Sequence, residues 1–211
     1  MKCLIKTAIA DLWREREKGR ETQLLRGEKV EVIEKAGEWL YVSALEQERF
    51  TEEKEWHPYP GWLHRNAVEF MESFSPSHSS QAPLNLRQLI SDAESFLNIP
   101  YLWGGRSREG VDCSGLINLI FRAQGFSIPR DAHDQYLRSQ KITREQLQLG
   151  DLIFFTPREK LERITHVVLY KEKGWSIEAP ETGKVVSYLP KTVLDEREKK
   201  YQLSYGRFST L

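Results

Sequence analysis

The chain of 211 residues contains only two cysteines, Cys3 and Cys113. At most one disulfide can form, so a disulfide-built scaffold is excluded and any thiol chemistry has two candidates. Net charge is missing as well, since 31 basic residues balance 31 acidic ones to leave +0. No basic field exists to gather nucleic acid or anionic lipid, and neither is expected as a partner. No stretch approaches the ~20 apolar residues of a membrane span. At the N-terminus Lys6 and Asp11 interrupt the apolar residues before a secretory core can form, so the expectation is a cytoplasmic protein. The five histidines show no paired metal spacing with Cys113 or with one another, so neither a metal nor another cofactor is expected.

What is present centres on Cys113. Leu116, Ile117, Leu119, Ile120 and Ala123 recur at the spacing of one helical face, and Gly125 stops the pattern. Asp112 falls at the N-cap, which makes Cys113 the first helical residue. A thiol there faces unpaired N–H groups and the positive end of the helix dipole, which favours the thiolate, the nucleophilic form. The following N–H groups suit a developing oxyanion. Read alone, Cys113 could equally be one more small buried residue, so the assignment needs a base and an orienting group elsewhere.

Along the chain, 30–34 and 39–42 are β-rich runs joined by a hairpin signal at 35–38, and Gly61, Trp62 and Leu63 add another strand. Short strands with aromatic residues over about 60 residues indicate a small barrel. The charged segment 46–55 reads as a solvated loop insertion. Residues 73–83, rich in Ser and Pro, read as a linker between domains at 1–72 and 84–211. Beyond it come a helical stripe from Leu86 to Leu97, the Cys113 helix, and strands at 150–155, 166–170 and 175–179. Helices ahead of strands indicate an α+β domain.

The base comes from this last region. His166 opens a strand, and the run from Trp175 folds back on it through a short polar connection containing Gly174. An even pairing register places His166 and Glu178 opposite or diagonal on one sheet face, where a carboxylate fixes the imidazole tautomer and stabilises its charged form. Singly, His166 reads as a satisfied histidine and Glu178 as a solvated strand residue; together with Cys113 they form a nucleophile, base and orienter. His133 reads as a loop or helix-start residue.

The blocks Tyr101-Leu102-Trp103-Gly104-Gly105, Val111-Asp112-Cys113-Ser114-Gly115, Pro129-Arg130-Asp131, 150–155 and 166–170 resemble, in order and spacing, the NlpC-type cysteine peptidases of bacterial cell walls. The resemblance implies a papain-like α+β domain with Cys113 as nucleophile and His166 as general base. Its third catalytic position is usually His, sometimes Asn or Gln, and here falls on Glu178. The first part of the chain resembles the bacterial SH3-like domain that often precedes such peptidases. In the branch that cuts the γ-D-glutamyl to diamino acid bond of murein peptides, that domain covers one end of the cleft and limits substrates to those with a free N-terminal L-alanine. Carried over by resemblance, the amine-binding positions are Asp112, Ser114, Asp131, Tyr59 and Glu21, and Trp103 is a cleft-wall aromatic. The expected fold is therefore a papain-like α+β peptidase domain behind a small all-β SH3-like barrel. The expected partner is L-Ala-γ-D-Glu-diaminopimelate in murein recycling. The rival readings are an exported peptidoglycan hydrolase acting on intact wall, acyl transfer by the same thiol, and an inactive wall-binding module. Asp112 and Asp131 also have a plain reading, as an N-cap and as a turn or helix-start residue paired with Arg130.

Overall fold

The computed structural model describes residues 1–74 and 83–208, which form two lobes with a large sheet each. The expected linker at 73–83 falls mostly on residues 75–82, outside the described residues. The first lobe consists of strands β1 (Lys2–Ile5), β2 (Ile9–Glu15), β3 (Lys18–Leu25), β4 (Lys29–Ala36), β5 (Trp39–Phe50), β6 (Trp56–His64) and β7 (Val68–Phe70). They form one seven-stranded antiparallel sheet, in the order β3-β2-β6-β5-β4-β1-β7, that curls round its own core. Alternation explains the sidedness: Leu40, Val42 and Ala44 of β5 enter that core while Trp39, Tyr41 and Ser43 lie on the other face. The hairpin expected at 35–38 closes with Ala36 opposite Trp39.

The charged segment 46–55 is the solvated loop expected of it only in its second half. Residues 46–50 extend β5, with Glu48, Arg49 and Phe50 opposite Pro58, His57 and Trp56, and residues 51–55 form the turn into β6, exposed at 52–55. The cause is tertiary, because this extension lies on the second lobe. There the Phe50 N–H donates to Asp134 at 3.0 Å and the Arg130 N–H donates to the Glu48 carbonyl at 3.0 Å. Arg138 pairs with Glu48 at 2.8 Å, and its guanidinium stacks 3.9 Å from the centre of the Trp56 ring. Charges that read as a solvated face are partners across a junction.

The second lobe runs α1 (Leu86–Glu94), β8 (Arg106–Ser107), β9 (Gly110–Val111), α2 (Cys113–Ala123), α3 (Ala132–Arg138), β10 (Gln140–Ile142), β11 (Leu152–Pro157), β12 (His166–Glu172), β13 (Trp175–Glu178), β14 (Ser187–Pro190), α4 (Lys191–Arg197) and β15 (Tyr201–Arg207). Its sheet has six strands in the order β10-β15-β11-β12-β13-β14, so the three expected strands form an α+β core to which β10, β14 and β15 are added. Both faces are covered, which is why 152–155 reads as an unbroken apolar run. Leu152 and Phe154 pack with α1 and α2, whereas Ile153 and Phe155 pack with Leu194 of α4.

A buried polar junction joins the lobes. The fully buried Arg106 donates to Glu28 at 3.0 Å, to the Gln23 carbonyl at 2.8 Å and to Asn118 at 2.9 Å. Glu28, also buried, takes a further hydrogen bond from Gln47 at 3.1 Å. Burial opposes its ionisation, but Arg106 prevails and holds the carboxyl below its usual range. Removing one member strands the other without water, so Glu28→Ala should lower stability by about 3–5 kcal/mol. Urea unfolding measures this, and a loss under about 1 kcal/mol, as for an exposed pair, would contradict it.

Candidate active site

Cys113 is the first residue of α2, and the Asp112 N-cap accepts the Gly115 N–H at 2.6 Å. The same carboxylate accepts the Gly104 N–H at 2.9 Å and a fork from Arg130 at 3.1 and 2.7 Å, so the glycine loop and the helix start are pinned to one group. Gly115 is obligatory there, because a Cβ on it would lie 2.2 Å from the Gly105 carbonyl oxygen. The sulfur borders a cleft of about 670 Å3 between the lobes.

The His166 imidazole meets the Cys113 thiol, and its Nε2 lies 3.0 Å from Glu178 Oε2, which leaves Nδ1 for the sulfur. The hairpin between β12 and β13 makes this possible. Lys173 and Gly174, with φ of 51° and 79°, form its two-residue turn and set Glu172 opposite Trp175. Continued unbroken, that register would pair Leu169 with Glu178 and put Glu178 and His166 on opposite faces. A bulge between Tyr170 and Glu172 shifts it by one, Leu169 pairs with Ile177, and the two side chains share a face. The even register expected from the sequence is the observed one.

Burial opposes a charged imidazole, but the Cys113 thiolate, followed by Glu178, outweighs it and pushes His166 up to about 9. Burial likewise opposes the Glu178 carboxylate, yet hydrogen bonds from His166 and from Arg197 bring it down to about 2. The arrangement holds a proton on the base beside a nucleophilic sulfur, as amide cleavage through a thioester requires.

A second cluster closes one end of the cleft. The buried Tyr59 of β6 places its hydroxyl 3.2 Å from Glu21 Oε2 and 3.2 Å from Asp131 Oδ2. Asp131 occupies the N-cap of α3 but makes no capping bond with its side chain. Burial, reinforced by Asp131 and Glu21, raises the phenol, which therefore keeps its one proton. Two carboxylates thus share a single hydroxyl donor, and a cationic group with several N–H bonds would satisfy both. Arg14 pairs with Glu21, and Arg163 stands 3.9 Å from Asp131, both from exposed positions on the rim.

The structure therefore brings Cys113, His166 and Glu178 together, and separately Glu21, Tyr59 and Asp131. Trp103 lies on the cleft wall, 67 % exposed. Ser114 and Asp112 border the cleft, but their polar atoms are bound internally: the Ser114 hydroxyl donates to Asp112 at 3.3 Å and accepts from Arg130 at 2.9 Å. Arg130 serves Asp112, its salt-bridge partner at 2.7 Å, where the plain reading paired it with Asp131. His133, read as a loop or helix-start residue, stands in the first turn of α3 and also lines the cleft, whereas sequence reasoning gave no role to Tyr101, which lines it too, or to Arg197 behind Glu178. Tyr101 stands in a quoted block, so a signal existed for it. Arg197 lies in an ordinary charged run and had none.

Residues 98–204 match the family model described as "NlpC/P60 family". The chain is 29 % identical over 228 residues to a gamma-D-glutamyl-L-lysine dipeptidyl-peptidase of Bacillus subtilis, covering 82 % of this chain and 76 % of that one. It is 34 % identical over 129 residues to a protein of the same description from Bacillus cereus, covering 61 % of this chain and 38 % of that one. Among solved structures, an NlpC/P60 family protein from Bacillus cereus superposes with a TM-score of 0.86 at 22 % identity, over 99 % of this chain and 100 % of that one.

Because His166 keeps its proton up to about 9, the imidazolium that protonates the leaving amine is lost above that pH, and the rate should fall as pH rises through it. Glu178→Gln keeps a hydrogen bond and removes a charge that stabilises the imidazolium. The descending limb should therefore move to lower pH, with kcat reduced more than KM is raised. A pH–rate profile identical to that of the parent chain would show that Glu178 does not orient His166.

Proposed function

The chain belongs to the NlpC/P60 family of cysteine peptidases, and from that premise we propose that it cuts the γ-D-glutamyl to diaminopimelate bond of murein peptides whose N-terminal L-alanine is free. The observation that carries this reading is the Glu21, Tyr59 and Asp131 cluster, where two carboxylates meet on one hydroxyl at the closed end of the cleft and their arginine partners stand on the exposed rim. An ammonium supplies three N–H donors to that cluster; an acylated nitrogen supplies one and no charge. The relatives described as dipeptidyl-peptidases agree in kind, since release of an N-terminal dipeptide needs a site that registers the free end.

In the proposed reaction the Cys113 thiolate attacks the γ-carbonyl carbon, and the N–H groups at the start of α2 receive the developing oxyanion. The imidazolium of His166 gives its proton to the leaving amine, and the C–N bond breaks to leave a thioester. A water molecule, losing its proton to His166, then releases L-Ala-D-Glu and the thiolate. Peptides of this kind are fragments of the wall, and we place their cleavage in the cytoplasm as part of recycling.

Each charge-assisted hydrogen bond lost at the amine is typically worth ~1.5–3 kcal/mol, so N-acetylation of L-Ala-γ-D-Glu-diaminopimelate should lower kcat/KM roughly tenfold to more than a hundredfold. Tyr59→Ala should narrow that difference while iodoacetamide still labels Cys113 faster than Cys3. Mass spectrometry of the products reads both. Equal cleavage of the two peptides would overturn the reading in favour of a hydrolase of intact wall, and recovery of the native protein outside the cell would overturn the location.

A further inference from the structure

Glu178 does not stand alone behind the base. Its Oε2 lies 3.0 Å from His166 Nε2 and accepts Arg197 Nη1–H at 2.7 Å, while Oε1 accepts Arg197 Nη2–H at 2.8 Å. The carboxylate is almost fully buried, and the guanidinium closes on it as a two-pronged fork. Phe155 packs against both sides of this chain of groups, its ring centre 5.3 Å from that of His166 and 5.9 Å from the Arg197 guanidinium.

We propose that Arg197 is a positioning residue of the peptidase reaction, acting through Glu178 to fix the plane of the carboxylate and to divide its charge between two cations. The proposal rests on the reading of Cys113 and His166 as nucleophile and base. A carboxylate held by one imidazole is free to turn about its last bond; held by a fork, it presents one edge to Nε2 and directs Nδ1 at the sulfur. The second effect is electrostatic. The imidazolium must release its proton to the leaving amine, and an unshared carboxylate at 3.0 Å would hold that proton too tightly. With Arg197 in place, Glu178 keeps its hydrogen bond to His166 with less net charge. The guanidinium remains protonated throughout the working range, so it acts as a constant partner.

The charged and titratable groups around this chain are few. Cys113 and Glu178 face His166, while Glu178, Tyr201 and Glu181 act on Arg197. A purely structural purpose for Arg197, fastening α4 to the rest of the lobe, is already served by others. Leu194 is buried between α4 and the sheet, and Arg144 binds Asp195 and Glu198 at 2.7 and 2.6 Å.

The test uses the whole chain with Arg197→Met and Arg197→Lys, each alone and with Glu178→Gln. His166 is titrated by NMR without substrate, and kcat and KM are measured on L-Ala-γ-D-Glu-diaminopimelate. In Arg197→Met the His166 titration should move up by about one unit, with kcat down about tenfold and KM little changed. Arg197→Lys should restore the titration point and only part of kcat, since an ammonium supplies charge without the fork. Adding Glu178→Gln to Arg197→Met should bring the titration back down. An unmoved His166 titration in folded Arg197→Met overturns the proposal, as does a kcat loss that tracks a lowered melting temperature and is unaffected by Glu178→Gln. Should Arg197→Met not fold, Arg197→Lys decides through kcat: a kcat equal to that of the parent, or a loss that tracks a lowered melting temperature, overturns the proposal. Because the titration needs no substrate, a shifted His166 in a chain that does not cleave the peptide overturns the proposed substrate and leaves the positioning intact.

Discussion

The Asp112 carboxylate is the interaction on which the site depends. It receives five hydrogen bonds, from Gly104, Ser114, Gly115 and the two arms of Arg130. Through them one group sets the pitch of the first turn of α2, the position of the glycine loop and the line of the cleft floor. Arg130 extends the same network into the other lobe by donating to Thr22 at 2.7 Å, and Thr22 in turn donates to Gln47 at 2.8 Å. The nucleophile is therefore placed by a chain of polar contacts that crosses between the lobes. A buried carboxylate is tolerable here because every lone pair has a donor.

This makes the first lobe part of the enzyme. It contributes Glu21 and Tyr59 to the closed end of the cleft, and its β5–β6 extension grips α3, at whose start Asp131 stands. A chain with no net charge can still build a strongly polarised site, because its ions are arranged as local pairs of unequal exposure. The carboxylates of Glu21 and Asp131 are inward and the arginines beside them are on the rim.

Legibility in the sequence followed physical range. The Cys113 helix was readable because capping, apolar spacing and the stop at Gly125 are local. The His166 and Glu178 pairing was readable because a short hairpin leaves only a parity to decide. The first lobe was legible as strands, and its place over the cleft came from a resemblance, since nothing local to Tyr59 tells that Asp131, 72 positions away, lies beside its hydroxyl. The charged segment misled for a related reason: Glu48 and Arg49 look solvated until α3 is beside them. Arg106 and Arg130 were illegible as buried residues, because an arginine enters a core only when distant acceptors converge on it, and distance in sequence hides convergence. Arg197 was hidden in the same way, its target being Glu178 on another element.

The bulge between Tyr170 and Glu172 bears on how such a site can drift over generations. A strand has two sides, so the count of residues between base and orienter matters only as odd or even. Losing or gaining a single residue in that hairpin would retain every functional side chain in the written sequence and still divide them across the sheet. A change of two would be absorbed in the loop. A comparison of descendants that scores letters column by column would miss this constraint, which belongs to the spacing and to no residue.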